Sequence, residues 1–137
     1  MYSPKHKKEN DFVDIFKEIR QILVELLDVD EKEITTDTYL VRDLCAESID
    51  FLELAVSLNN RFAIEINDDD LFLRNLRLYI QNIPDSQDRL AGLTGRFPFL
   101  STKRIAEILA DLDQGPVLKV KDLIAYIEWQ TKSKKAA

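Results

Sequence analysis

Between Asp11 and Leu27, apolar residues recur at steps of three and four: Phe12, Ile15, Phe16, Ile19, Ile22, Leu23, Leu26 and Leu27. That spacing lines one helical face and predicts a helix over 11–27. The stretch DVDEKEITTDTYLVRDL follows without a period and reads as a long loop, with Val29, Ile34, Tyr39 and Leu40 as its anchors to a core. A second helix is predicted over 48–62. Leu54, Leu58 and Phe62 recur at i, i+4 and i+8, with Phe51 and Ala55 beside them, which makes a core face. Ile49, Leu52 and Val56 form a second apolar line on the same helix. A helix with two such lines either lies deep in the protein or shows one line to a partner.

After IEINDDDLF, Asn67 or Asp68 is placed to cap a short third helix. LFLRNLRLYIQNI reads as that helix continuing until Pro84 stops it. SQDRLAGL is a weaker helical piece. STKRIAEILADLD is a stronger one, with Ser101 or Thr102 as its cap and Gly115-Pro116 past its end. Val120, Leu123, Ile124 and Ile127 share a face in VKDLIAYIEWQ, the last predicted helix; the polar tail TKSKKAA is expected to fray. Residues 74–116 hold all three glycines and three of the four prolines. They also hold Leu78, Ile80, Phe97, Phe99, Ile105, Ile108 and Leu109, a set that calls for burial. Arg74, Arg77, Arg89, Arg96 and Arg104 give the segment partners for acids elsewhere. No strand pattern and no repeat occurs, so the fold class is all-α.

Composition narrows the function. The chain has 137 residues, enough for one domain, and 45% of them are hydrophobic, enough for a real core. A formal net charge of −6 opposes nucleic-acid phosphates and favours basic protein partners. One cysteine, Cys45, excludes an intrachain disulfide. The N-terminal MYSPKHKKEN lacks the apolar run of a signal peptide, and no stretch approaches the roughly 20 apolar residues of a membrane span. A cytoplasmic monomer is expected. The single histidine, His6, sits far from any serine of interest. That weighs against a Ser-His pair and against a multi-histidine metal site. DVDEKEITTDTY lacks the glycine and final glutamate of a calcium loop, and GLTGR lacks the lysine and spacing of a P-loop. Trp129 reads as packing.

The stretch DLCAESIDFLEL, residues 43–54, then raises its own question. Ser48 opens the second helix behind an acid and has no general base in reach. In this it resembles the signature of the acyl carrier protein family. Supporting matches are the helix–loop–helix spacing, Phe62, the IEI after it and the terminal VKDLIAYI. The resemblance covers about 11–73 and 117–130. It implies a four-helix bundle with 74–116 as an additional helical insertion before the last helix, all in one carrier domain spanning 1–137 with mobile tails at 1–10 and 131–137. It implies that Ser48 is esterified by 4′-phosphopantetheine from coenzyme A, whose thiol carries acyl groups as thioesters. The modifying enzyme would supply the chemistry, which explains the missing histidine.

By the same resemblance the protein is a carrier and not an enzyme, serving fatty-acid, lipid or polyketide-like synthesis. Its partners are a phosphopantetheinyl transferase and synthases or acyltransferases with basic docking patches. The recognition residues are Glu47, Ile49, Asp50, Leu52, Glu53 and Val56, where charge steers and apolar contacts anchor. Asn59, Asn60 and Arg61 replace the family's acids lower on the helix, which points to a dedicated carrier. Cys45 stands at the family's usual glycine and is expected to pack buried or half-buried; Glu47 stands at its usual aspartate. A peptidyl or aminoacyl carrier and an unmodified helical interaction module are the alternatives. A hydrolase using Ser48 lacks both the histidine and the strand–turn–helix elbow.

Overall fold

The computed structural model describes the backbone of residues 7–84 and 86–136 and the side chains of 14–84 and 86–132. His6 and the side chain of Phe12 lie outside the described residues. Seven α-helices follow in order among the described residues: α1 (Lys7–Leu27), α2 (Ser48–Phe62), α3 (Asp68–Leu71), α4 (Leu76–Asn82), α5 (Arg89–Arg96), α6 (Thr102–Asp111) and α7 (Val120–Ala136). Two single 3-10 turns, Glu31–Glu33 and Leu112–Gln114, complete the set. The fold is all-α as expected. Helical backbone already begins at Lys7 and continues to Ala136, so it takes in 7–10 of the first segment expected to be a tail and 131–136 of the second.

The bundle is built on α1, which packs against α2 and α7, while α3 packs on α7. The predicted stripes explain this. Ile15, Ile19, Ile22 and Leu23 of α1, Leu54 and Leu58 of α2, and Val120, Leu123, Ile124 and Ile127 of α7 are all buried. They interdigitate as the i, i+4 ridges of amphipathic helices do. Tyr126 on α7 is fully buried, and its hydroxyl accepts from the Asn67 backbone N–H at 3.0 Å. Asn67 in turn caps α3 through its side chain, so one tyrosine fixes where α3 starts.

Residues 74–116 form α4, α5 and α6, joined by short turns. The expected single helix from LF to NI is broken. Leu71, Phe72 and Leu73 are all buried, and consecutive residues of a helix fan out about 100° apart, so no straight helix buries three in a row. Leu73 adopts a left-handed backbone with φ 54°, which turns the chain and starts α4. Within α4, Leu76 and Ile80 face inward, whereas Leu78, expected to be buried, is 54% exposed. It sits two residues from each, on the opposite side of the helix. Ser101 caps α6, as one of the two expected candidates, by accepting from the Arg104 backbone N–H.

Two kinds of contact hold this segment to the bundle. An aromatic chain runs from Tyr79 through Phe97 and Phe99 to Tyr126, with Phe99 edge-on to Tyr126 at 5.1 Å between ring centres. Trp129 closes it against Phe99 and Tyr126, a packing role. The second contact is ionic. Arg104 of α6 and Asp122 of α7 are both buried. Arg104 Nε donates to Asp122 Oδ1 at 2.7 Å and Nη2 to Oδ2 at 2.8 Å, a bidentate pair. Nη2 also donates to the Val117 carbonyl, and the Lys119 backbone N–H donates to Asp122 Oδ2. Burial works against the Arg104 charge, but the bonds to Asp122 outweigh it and raise the guanidinium above its ordinary value. Arg96 pairs likewise with Asp70 at 2.9 Å.

Removing one partner leaves the other charged and buried. Arg104→Met or Asp122→Leu alone should therefore destabilise the protein by about 3–5 kcal/mol, measured by urea unfolding. The double variant should recover much of that loss.

Candidate functional site

The approach to α2 is a tightly stitched loop. Leu40, Leu44 and Ala46 are buried. The Leu40 backbone N–H donates to the Leu118 carbonyl, and those of Leu44, Cys45 and Ala46 donate back to Tyr39, Val41 and Leu40. The Tyr39 N–H donates to Asp43 Oδ2 at 2.9 Å. An isolated antiparallel bridge pairs Tyr39 with Lys119. These bonds fix the backbone in front of Ser48 without a regular element.

Within this loop Cys45 has a left-handed backbone, φ 58°, and its side chain is exposed. The expectation of a buried or half-buried packing role is thereby corrected. Leu44 and Ala46 on either side take the inward directions, and the left-handed turn sends the cysteine out. An ordinary residue in this conformation carries a cost of roughly 1–2 kcal/mol that glycine escapes.

The helix starts one residue earlier in its cap than a serine cap would place it. Glu47, extended at φ −108° and ψ 172°, is the cap, and Ser48 is the first helical residue. Asp50 Oδ2 accepts from the Glu47 backbone N–H at 2.8 Å, the reciprocal half of a capping box. Capping is thus done by two acids. Ser48 is exposed, and its hydroxyl makes no hydrogen bond with the other described residues. It stands at the positive end of a 15-residue helix, where backbone N–H groups lack helical acceptors and favour a bound phosphate.

Along α2 the two apolar lines part. Leu54, Ala55 and Leu58 are buried, and Phe51 and Phe62 are partly so. Ile49, Leu52 and Val56 are 60%, 54% and 61% exposed. Glu47 and Glu53 are exposed among them and Asp50 is half-buried. Ile49, Leu52, Glu53 and Val56 therefore share one outward face, with Glu47 exposed at the cap and Asp50 turned about 100° from Ile49. Asp50 differs from the rest, because its carboxylate is already engaged in the cap.

Beside Phe51, one turn from Ser48, lies a cavity of about 190 Å³. Its walls include Val41, Phe51, Phe72, Leu73, Leu112 and Pro116, with Arg74 and Arg77 among the lining residues. The far wall belongs to the end of α6 and the turn after it, which a latch ties to the serine loop. The Tyr39 hydroxyl donates to Asp111 Oδ2 at 2.6 Å, and Arg42 Nη1 donates to Asp111 Oδ1 at 2.9 Å. Arg42 Nη2 reaches the Asp111 and Gly115 carbonyls, and its guanidinium stacks over the Tyr39 ring at 4.2 Å. Gly115 has φ 127°, a backbone few other residues adopt. Neither the latch nor the cavity was legible in sequence, since Tyr39 and Asp111 are 72 positions apart.

The hydrogen bonds from Arg42 and Tyr39 hold the Asp111 carboxyl below its usual range. An unfolded aspartate titrates near 3.9. A depressed folded value means that the latch stabilises fully above that pH and is lost as pH falls through the folded value. Asp111→Asn should lower stability at neutral pH and flatten the acid limb of a stability–pH profile, so that variant and parent converge in strong acid. At Cys45, glycine should leave the midpoint of thermal unfolding unchanged or higher. Valine should cost about 1–2 kcal/mol.

The chain was compared with known proteins. The family model for the phosphopantetheine attachment site matches residues 17–81, from α1 into α4, and implies a 4′-phosphopantetheine prosthetic group. An acyl carrier protein of Campylobacter hominis is 32% identical over 75 residues, covering 52% of this chain and 95% of that protein. No solved structure is similar enough to be matched. No described helix is long and apolar enough to cross a membrane. With nearly the whole of that relative covered and the attachment model laid over α2, the chain belongs to the acyl carrier protein family.

Proposed function

We propose that Ser48 is the attachment residue and that the protein is a dedicated, non-catalytic carrier of acyl groups. The observation that carries this reading is a serine hydroxyl that is exposed, free of hydrogen bonds to the other described residues and set at the first position of α2. A residue serving only as a cap would have its hydroxyl turned onto the backbone, and Glu47 and Asp50 do that work instead. The prosthetic group fits here. Its phosphodiester would lie against the backbone N–H groups of the first turn, and its thiol would supply the thioester that holds the cargo.

Ile49, Leu52 and Val56 with Glu47, Asp50 and Glu53 are the surface on which a transferase, synthase or acyltransferase would dock. Three exposed apolar side chains in one line are more than a solvated helix face requires. The acids around them would meet basic patches. Residues 74–116, folded against α7, supply part of the cavity wall beside α2. That supports a part in setting cargo or partner choice.

Incubation with coenzyme A and a broad-range phosphopantetheinyl transferase should add one prosthetic group by intact mass, and Ser48→Ala should abolish it. An unmodified parent after trials with several transferases would overturn the attachment reading. Glu53→Lys should slow association with the transferase several-fold and weaken its dependence on salt. Asp50→Lys should do the same but also lower stability by about 0.3–1.5 kcal/mol through the lost cap bond.

A further inference from the structure

Arg74 and Arg77 differ from the other charged residues that tie 74–116 to the bundle. Arg96 is bonded to Asp70 and Arg104 to Asp122. Neither Arg74 nor Arg77 has a carboxylate partner among the described residues. Arg77 Nη2 donates to the Leu112 carbonyl at 2.6 Å, and Arg74 lies over the Phe72 ring at 5.7 Å. Both line the cavity beside Phe51, and both remain exposed to solvent.

We propose that this cavity is a specificity site for a short acyl group bearing a carboxylate, held by the Arg74 and Arg77 guanidiniums. The proposal rests on the reading that Ser48 carries the arm. Three observations argue for it together. The cavity is about 190 Å³, below the roughly 300–1,000 Å³ of pockets for drug-sized ligands, so a short group fits it. Its walls are mainly apolar, which accommodates methylenes. Its charged lining residues are both cationic, in a chain whose formal net charge is −6. The stems of two arginines would cover apolar surface in any case. Both guanidiniums lack a carboxylate among the described residues and line a cavity walled by Phe51, one turn from Ser48, which is what a charged cargo would use. Arginine also suits the task, because its planar fork takes a carboxylate through two parallel bonds.

The test compares two cargoes of equal length, pentanoyl and glutaryl, loaded on the full chain from the corresponding coenzyme A thioesters and confirmed by intact mass. The side-chain Nε–H resonances of Arg74 and Arg77 are followed by NMR, and thioester loss to hydroxylamine is timed. Glutaryl should move both resonances, and its loss should be roughly tenfold slower from the parent than from Arg74→Gln/Arg77→Gln, which loads normally, because a held carboxylate cannot close onto its own thioester. Pentanoyl should be lost equally from both. Equal glutaryl loss from parent and variant overturns the proposal. So does a full shift of both resonances in the modified chain before any acyl group is added, which would assign the guanidiniums to the phosphodiester of the arm.

A chain that does not load fails the attachment reading alone. The cavity is then tested on the unmodified protein with glutaryl and pentanoyl thioesters of N-acetylcysteamine. Saturable binding of the glutaryl compound, lost in the double variant, supports the site; equal or absent binding of both overturns it.

Discussion

The buried pair between Arg104 and Asp122 is the constraint on which the rest of the structure leans. Asp122 sits in the first turn of α7, where its carboxylate accepts from the Lys119 backbone N–H and so sets where that helix begins. Through Arg104 the same carboxylate sets where α6 lies, and through the Val117 carbonyl the guanidinium fixes the strand of chain between them. That stretch then meets the serine loop by the Leu40–Leu118 and Thr38–Val120 backbone bonds. The position of Ser48 is therefore determined partly by an ion pair on the other side of the chain. Two buried charges are a costly way to gain stability. Here they act as a register device, because the placement of α6 has to satisfy all four polar contacts at once.

The bundle was legible in the sequence wherever burial is periodic. The buried stripes of α1, α2 and α7 follow from spacing alone, because each helix buries one face and solvates the other. The line of Ile49, Leu52 and Val56 was visible for the same reason, but spacing left open whether it was buried, and the structure exposes it. The break at Leu73 was not, since three apolar neighbours in a row fit a helix pattern by composition while their joint burial demands a turn. Leu78 was misplaced because its burial depends on where α4 starts.

The site divides in the same manner. Ser48 and its acidic neighbours stand together in sequence, so the proposed attachment rests on twelve contiguous residues. The division of labour inside that stretch could not be read there. Spacing cannot say whether a serine or the residue before it caps a helix, because both choices leave the apolar stripe unchanged. The outward turn of Cys45 depends on a positive φ that composition conceals when the residue is not glycine. The cavity and the Tyr39–Arg42–Asp111 latch unite residues about 70 positions apart, and local pattern carries no trace of such distances.

Asp50 has one carboxylate and two calls upon it. In the free protein it closes the first turn of α2 on the Glu47 N–H. A cationic partner that drew it outward would forfeit that bond and gain correspondingly less than from Glu53, whose carboxylate has no ion-pair partner among the described residues. The two events are linked thermodynamically. Whatever strengthens the cap weakens the grip of a partner at Asp50, and a partner gripping there loosens the turn on which Ser48 sits. On the proposed attachment at Ser48, docking and the local order of the serine would not be independent variables, and a surface binding through Asp50 would also choose how rigidly the arm is presented.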